Sequence, residues 1–325
     1  MAGTPTRVPG YVHTPGNHCG STALRNLLAF HTLELSEEMA FGLGAGPCFY
    51  YVVREDSSPT RFTNGRTARL EEQFLELSGL PLELERFEGR AESWAAAKGR
   101  VDSGRPALLL TDLYYLDHYG SSAHFPGHAV VLAGYDEEAA FLSDTDFEEL
   151  QRTTLGHLAD ARHAQHPVYP LAGDMVSVAP SVKLADPTSS LPAAIEAAVR
   201  RMLDPPLGEY EGIPALRRLV EEIGQWPEAA SDWQWCARFS YQAIERRGTG
   251  GGNFRLMYSR FLAEAGHATG AELAAAASSA WTRLSVELRH ASEEDRPRRD
   301  RWTAVEKTAG EVLRAEEALW SELSV

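Results

Sequence analysis

A thiol, an imidazole and a carboxylate stand in an order that suits nucleophilic catalysis. The thiol is Cys19, in the stretch HTPGNHCGSTALRNLLAFH at 13–31. A thiol is a good nucleophile only as thiolate, and the orphan N–H groups and partial positive charge of a helix N-terminus favour that anion. An amphipathic run begins at Cys19, and Gly20, Ser21 and Thr22 are small enough to let a substrate reach the sulfur. A nucleophilic cysteine also needs a histidine to take its proton and a third group to orient the ring. His128 opens the strand pattern GHAVVLAGYD at 127–136, and Asp144 closes AAFLSD at 139–144. A hairpin folded about Glu137 brings these two ends side by side. Asp146 has the same parity as Asp144, so strand alternation leaves both acids open. The plainer reading is a small buried cysteine near a helix start and a half-exposed strand-end histidine. Each piece alone discriminates little, whereas the three together, in this order, say more.

The elements that must hold these residues follow from periodicity. Ala23, Leu24, Leu27, Leu28 and His31 share a helical face. TARLEEQFLELSG at 67–79 predicts a second helix with Gly79 as its stop, and AESWAAAKGRVDSG a third. The period then changes: ALLLTDLYYL after Gly-Arg-Pro at 104–106 reads as a buried strand, followed by the antiparallel hairpin. PSVKLADPTSSLP reads as a linker, 179–191, and everything beyond it as helix. The expectation is an α+β domain over 1–178 and an all-α domain over 192–325. No internal repeat or low-complexity tract is evident.

Hydrophobic residues make up 43% and charged residues 24% of the 325, an ordinary globular composition. A net charge of −15 disfavours a general nucleic-acid binder and suits cationic ligands, or solubility alone. Three cysteines without metal or disulfide spacing argue against a zinc site or a disulfide framework. No apolar window reaches membrane-spanning length and the N-terminus lacks a signal-type core, so a cytoplasmic protein with reduced thiols is expected.

The chain resembles the family of the butirosin-biosynthesis protein H. The likeness is carried by HCGSTALRNLLAFH at 18–31, LSEEMAFGLGAGPCFYY at 35–51, PGHAVVLAGYDEE at 126–138 and FLSDTDFEELQRTTLGHLADAR at 141–162. RRGTGGGNFRLMYSRFL at 246–262 resembles the helical domain of unknown function that accompanies it. More distantly, the N-terminal half is similar to papain-like cysteine peptidases. The resemblance implies a papain-like N-terminal domain and acyl transfer. An acyl group on the phosphopantetheine thioester of an acyl carrier protein would move to an amine of an aminoglycoside in antibiotic biosynthesis. Cys19 would form the acyl-enzyme, His128 would move protons and Asp144 would hold the imidazole, with no bound cofactor and no metal. Papain-like enzymes place an oxyanion-stabilising glutamine six residues before the cysteine. This sequence has His13 there, with Asn17 and His18 as further candidates beside the Cys19 N–H.

Other motifs have two readings each. GLGAGPCFYY at 42–51 suggests a loop whose Phe49, Tyr50 and Tyr51 line an acyl or acceptor pocket, or ordinary packing. GTGGGNFR, with Gly250, Gly251, Gly252, Asn253 and Arg255, suggests an anion site at a helix start, or a tight interhelical turn. His118 and His124 in DHYGSSAHF read as a loop rimming the cleft. RHASEEDRPRRDRW at 289–302 could dock an acidic carrier protein, or be a solvated surface, and the tryptophans of WPEAASDWQWC are core or a sugar platform. The reading is a cysteine acyltransferase. A hydrolase, peptidase or amide cyclase with the same triad and a non-catalytic binding protein remain the alternatives. Neither a nucleic-acid nor a membrane partner is expected, and a homo-oligomer is left open.

Overall fold

The computed structural model describes residues 4–167, 169–179 and 182–325. In chain order the first elements are β1 (Thr6–Arg7), α1 (Cys19–Phe30), α2 (Glu37–Leu43), β2 (Pro47–Val53), β3 (Arg61–Arg66) and α3 (Leu70–Ser78). Next come β4 (Leu82–Glu85), α4 (Arg90–Asp102), β5 (Ala107–Asp112), β6 (Pro126–Tyr135), β7 (Ala139–Ser143), β8 (Gln151–Thr154), α5 (Leu155–Arg162) and β9 (Met175–Val178). Helices then follow: α6 (Leu191–Leu203), α7 (Gly212–Glu222), α8 (Trp226–Ala229), α9 (Trp233–Glu245), α10 (Arg255–Glu264), α11 (Ala268–Ser292) and α12 (Arg299–Leu323). The protein is mixed α/β with a helical C-terminal region.

The chain divides into two compact units, one of residues 1–40 and 71–187, the other of 41–70 and 188–325. Segment 41–70, expected in the first domain, therefore belongs to the second unit. Of the expected linker, residues 180 and 181 lie outside the described residues.

The first unit is built on an antiparallel sheet in the order β4-β9-β5-β6-β7-β8, with β1 on the far end of β6. Helices α1, α4 and α5 pack against it. Ala97, Val101, Leu109, Val130, Leu132, Leu142, Leu158 and Ala161 form its core. Truncating one such leucine to alanine costs about 2–5 kcal/mol. The expected hairpin is present, with Val131 opposite Ser143 and Tyr135 opposite Ala140. The strand expected over ALLLTDLYYL is shorter. It ends at Asp112, whose side chain accepts the Tyr114 N–H and starts a 3-10 turn. A carboxylate at that position offers the backbone a local partner that competes with the sheet.

In the second unit, the glycine-rich stretch expected to be a loop continues into a strand: β2 pairs antiparallel with β3. The hairpin packs on α7 and α9, while α9, α10 and α12 pack on α11. Arg255 and Glu316 form a fully buried ion pair at 2.7 Å. Trp281 and Trp320 indole N–H groups donate to the same carboxylate, and the guanidinium donates to Gly65 O, Asn253 O and Cys48 O. Burial of both charges is tolerable because nearly every donor and lone pair has a partner.

Candidate active site

Cys19 is the first residue of α1 and is partly exposed, whereas Cys48 and Cys236 are buried. Its approach loop is held by one carboxylate. Glu37, only 5% exposed, accepts from Asn17 N–H (2.9 Å), His18 N–H (2.7 Å), the Asn17 side-chain amide (3.0 Å), Ser21 Oγ (3.3 Å) and Thr22 Oγ1 (3.1 Å). A Cβ at Gly16 would run into Thr22 Oγ1 and come within 2.8 Å of Glu37 Oε2, so the loop passes where only glycine fits. His18 is the N-cap: extended, with Nδ1 accepting the Ser21 N–H. Helix geometry leaves the Cys19 and Gly20 N–H groups without intrahelical acceptors.

His128 is the third residue of β6 and is 4% exposed; Asp144 follows β7 and is 1% exposed. His128 Nε2 lies 3.0 Å from both Asp144 oxygens, which leaves Nδ1 for the Cys19 thiol. The Cys19 sulfur is among the groups that raise the His128 imidazole. Extending the β6–β7 register from Val131–Ser143 by three residues would put position 146 opposite His128. Instead the chain turns, with Phe147 N–H donating to Asp144 O, and Asp146 is left exposed. That turn decides between the two acids.

Asp144 has two further donors. His118 Nε2 lies 2.9 Å from Oδ2, with His118 Nδ1 on Thr153 Oγ1 at 3.1 Å. Tyr119 OH donates to Oδ1 at 3.0 Å and to Asp146 at 3.2 Å. Burial alone would raise the Asp144 pKa, but the charge of His128 and the bonds from His118 and His128 outweigh it and hold the carboxyl well below the usual range. Burial would likewise lower His128; Asp144 and Cys19 overcome it and hold the imidazole well above its ordinary value. Tyr119 is pushed far up by burial and by the Asp144 and Asp146 charges, so it stays a donor. The arrangement keeps one proton on His128 beside a sulfur at a helix start, the requirement for a thiolate–imidazolium pair.

The other expected residues fall elsewhere. His13 has both ring nitrogens engaged, Nδ1 with Ser143 Oγ at 2.7 Å and Nε2 with Phe147 O at 2.8 Å. It anchors the turn after β7, and both of its ring nitrogens are taken up there. Asn17 and His18 are committed to the Glu37 clasp and the cap. Phe49 is buried with its ring 5.2 Å from Trp281, Tyr51 is buried and donates to Glu222 (2.8 Å), and Tyr50 forms a bridge with Glu211. These three pack within the second unit, the ordinary-packing reading of the stretch, and the glycines before them lead into strand β2. Gly250, Gly251, Gly252 and Asn253 have positive φ, and a Cβ on Gly252 would collide with Ser278. Arg255 N–H and Leu256 N–H are satisfied by Gly252 O and Gly251 O. The run is a tight interhelical turn, and Arg255 is spent on Glu316. In the basic stretch, Arg289, Arg298 and Arg301 are paired with Glu293, Asp300 and Glu287.

Sequence reasoning passes over Glu37 and Tyr119 and places His118 only at a rim. A buried acid 18 residues beyond the cysteine carries no local signal. The signal that could have found the other two is the His118-Tyr119 pair in the loop that leads to Gly127-His128. Among the described residues, no group of three or more His, Cys, Asp or Glu could hold a metal ion, and no helix is long and apolar enough to cross a membrane.

No curated protein matches the chain. Two family models do. The model for the N-terminal part of butirosin biosynthesis protein H matches residues 18–145, from the N-cap of the cysteine helix to the residue after Asp144. A domain of unknown function (DUF4872) matches residues 156–323. By this pair of matches, over the same stretches that suggested it, the chain belongs to the butirosin biosynthesis protein H-like family.

Proposed function

We propose that the protein is a cysteine-dependent acyltransferase of secondary metabolism, in antibiotic biosynthesis, with a papain-like first unit. The observation that carries the reading is a partly exposed thiol at a helix start, electrostatically coupled to a buried imidazole that a buried carboxylate orients. Cys19 Sγ attacks the carbonyl of an acyl thioester, supplied on the phosphopantetheine arm of an acyl carrier protein. His128 takes the thiol proton through Nδ1 and returns it to the departing pantetheine thiol. The Cys19 and Gly20 N–H groups stabilise the oxyanion. An amine, such as that of an aminoglycoside, then attacks the acyl-enzyme and His128 moves its proton to the Cys19 sulfur. Splitting the transfer into two steps is the gain from a covalent nucleophile. The acidic chain suits a cationic acceptor.

The test is intact-mass measurement after mixing with a panel of acyl thioesters, beside Cys19→Ala and His128→Ala. The expected result is a mass gain in the wild type, absent in Cys19→Ala and strongly slowed in His128→Ala. If no thioester leaves an adduct and Cys19 also resists iodoacetamide, the protein is a binding module. If the adduct forms and water discharges it as fast as any amine, it is a hydrolase.

A further inference from the structure

A second imidazole–carboxylate pair stands at the same end of the sheet. His124 Nδ1 lies 2.7 Å from Asp112 Oδ2. The Asp112 side chain is 1% exposed and that of His124 is 48% exposed. Asp112 Oδ1 alone accepts the two loop amides, Tyr114 N–H at 3.1 Å and Phe125 N–H at 2.8 Å. Oδ2 is therefore not needed to close the loop, and it fixes His124 as the tautomer whose Nε2 lone pair is turned away from the carboxylate. The ring is held on its flanks as well, stacked on Tyr114 at 4.1 Å and edge-on to Tyr115 at 5.7 Å.

Its position matters. Asp112 ends β5, His128 is the third residue of the adjacent β6, and Asp144 follows β7. Thr111 is opposite His128 and Asp112 opposite Pro126. Neighbouring strands lie about 4.8 Å apart, so the ends of β5 and β6 run side by side, with a register shift between Thr111 and Asp112. The loop that joins them sends His118 and Tyr119 to Asp144 and His124 to Asp112. Beside His124, Tyr114 and Phe125 are 41% and 38% exposed and present aromatic rings, a surface that attracts ammonium groups.

We propose that Asp112, His124, Tyr114 and Phe125 form an acceptor subsite that receives an ammonium group and removes its first proton. The proposal rests on the acyltransferase reading and deepens it. An alkylamine arrives as R–NH3⁺ and must lose two protons to become an amide. Having given its proton to the departing pantetheine thiol, His128 can take only one of them. His124 Nε2 takes the first, giving R–NH2, and releases it to solvent. The amine nitrogen then bonds to the acyl carbon and His128 takes the second proton. As the carbon–sulfur bond breaks, that proton passes to Cys19 Sγ. The sum is acyl-S-Cys19 and R–NH3⁺ going to amide, free thiol and one solvent proton.

The experiment uses the full chain, acylated with an acyl-N-acetylcysteamine thioester and followed by intact mass. Discharge is timed with 1,4-diaminobutane, charged at neutral pH, and with methoxyamine, uncharged there. His124→Gln and Asp112→Asn should acylate at the wild-type rate, discharge to diaminobutane about 10²-fold more slowly, and discharge to methoxyamine unchanged. His124→Gln leaves both loop amide bonds in place, so it reads the role even where Asp112→Asn loosens the loop. Equal discharge of wild type and His124→Gln by diaminobutane overturns the subsite alone. Equal slowing with both amines also overturns it, since only a charged amine needs the extra base. Absence of any acyl-enzyme in the wild type overturns the acyltransferase reading and this inference with it.

Discussion

At the residue scale, Asp144 sets the behaviour of the site. It is buried, ionised and bonded to His128, His118 and Tyr119. Asp144→Asn keeps the shape and loses the charge, and the imidazole tautomer with it. Acylation should fall about 10³–10⁴-fold while the protein stays folded, checked by stopped-flow mass or thiol-release assays. The pH dependence of stability follows from the two shifts. Asp144 is depressed, so its contribution is present above the usual carboxylate range and is lost as pH falls through the depressed value. His128 is raised, so its contribution is complete below about pH 6.5 and is lost as pH rises through the raised value. Urea midpoints of the wild type should therefore form a plateau across neutral pH with a fall on each side. In Asp144→Asn both flanks should flatten. Tyr119→Phe removes one donor and leaves the others, so a modest loss of acylation rate and an upward move of the acid flank are expected in the same measurements.

At the element scale, the cysteine helix is held at its start by a residue of the next helix. Glu37→Gln keeps the volume and removes the charge from a carboxylate with five donors. It should cost about 2–4 kcal/mol in chemical denaturation and make Cys19 labelling by iodoacetamide less uniform. Gly16→Ala should act in the same direction, since its methyl group meets Thr22 and Glu37. This scale also shows what could be read in advance. Helix α1, the β6–β7 hairpin and the later helices have clear periods, and the cysteine and histidine sit at ends that periodicity marks. Asp144 and Asp146 could not be separated, because the choice is made by a turn after Ser143 that His13 pins from 130 residues away. The short strands β1, β4, β8 and β9 have two to four residues each, too few for alternation to show. Strand β2 was masked by the glycines leading into it, and the Glu37 clasp by being a contact with no sequence pattern.

At the scale of the whole molecule, the second unit is closed by one buried ionic centre. Arg255→Met leaves Glu316 without its cation and should lower stability by about 3–5 kcal/mol, read as an earlier thermal transition in tryptophan fluorescence. The double replacement Arg255→Met with Glu316→Leu should recover much of that loss, as paired removal of a buried ion pair commonly does. The same centre ties together residues far apart in the chain: the Cys48 and Gly65 carbonyls on one side, Arg255 and Glu316 on the other. A ribosome releases the β2–β3 hairpin long before it releases either partner. At about 5–20 residues per second, the apolar strand carrying Cys48, Phe49 and Tyr51 waits on the order of 10–40 s for Arg255. During that interval its unpartnered edges are open to chaperones or to other nascent chains, and a transcript halted near residue 187 would strand the hairpin permanently without the helices it folds against.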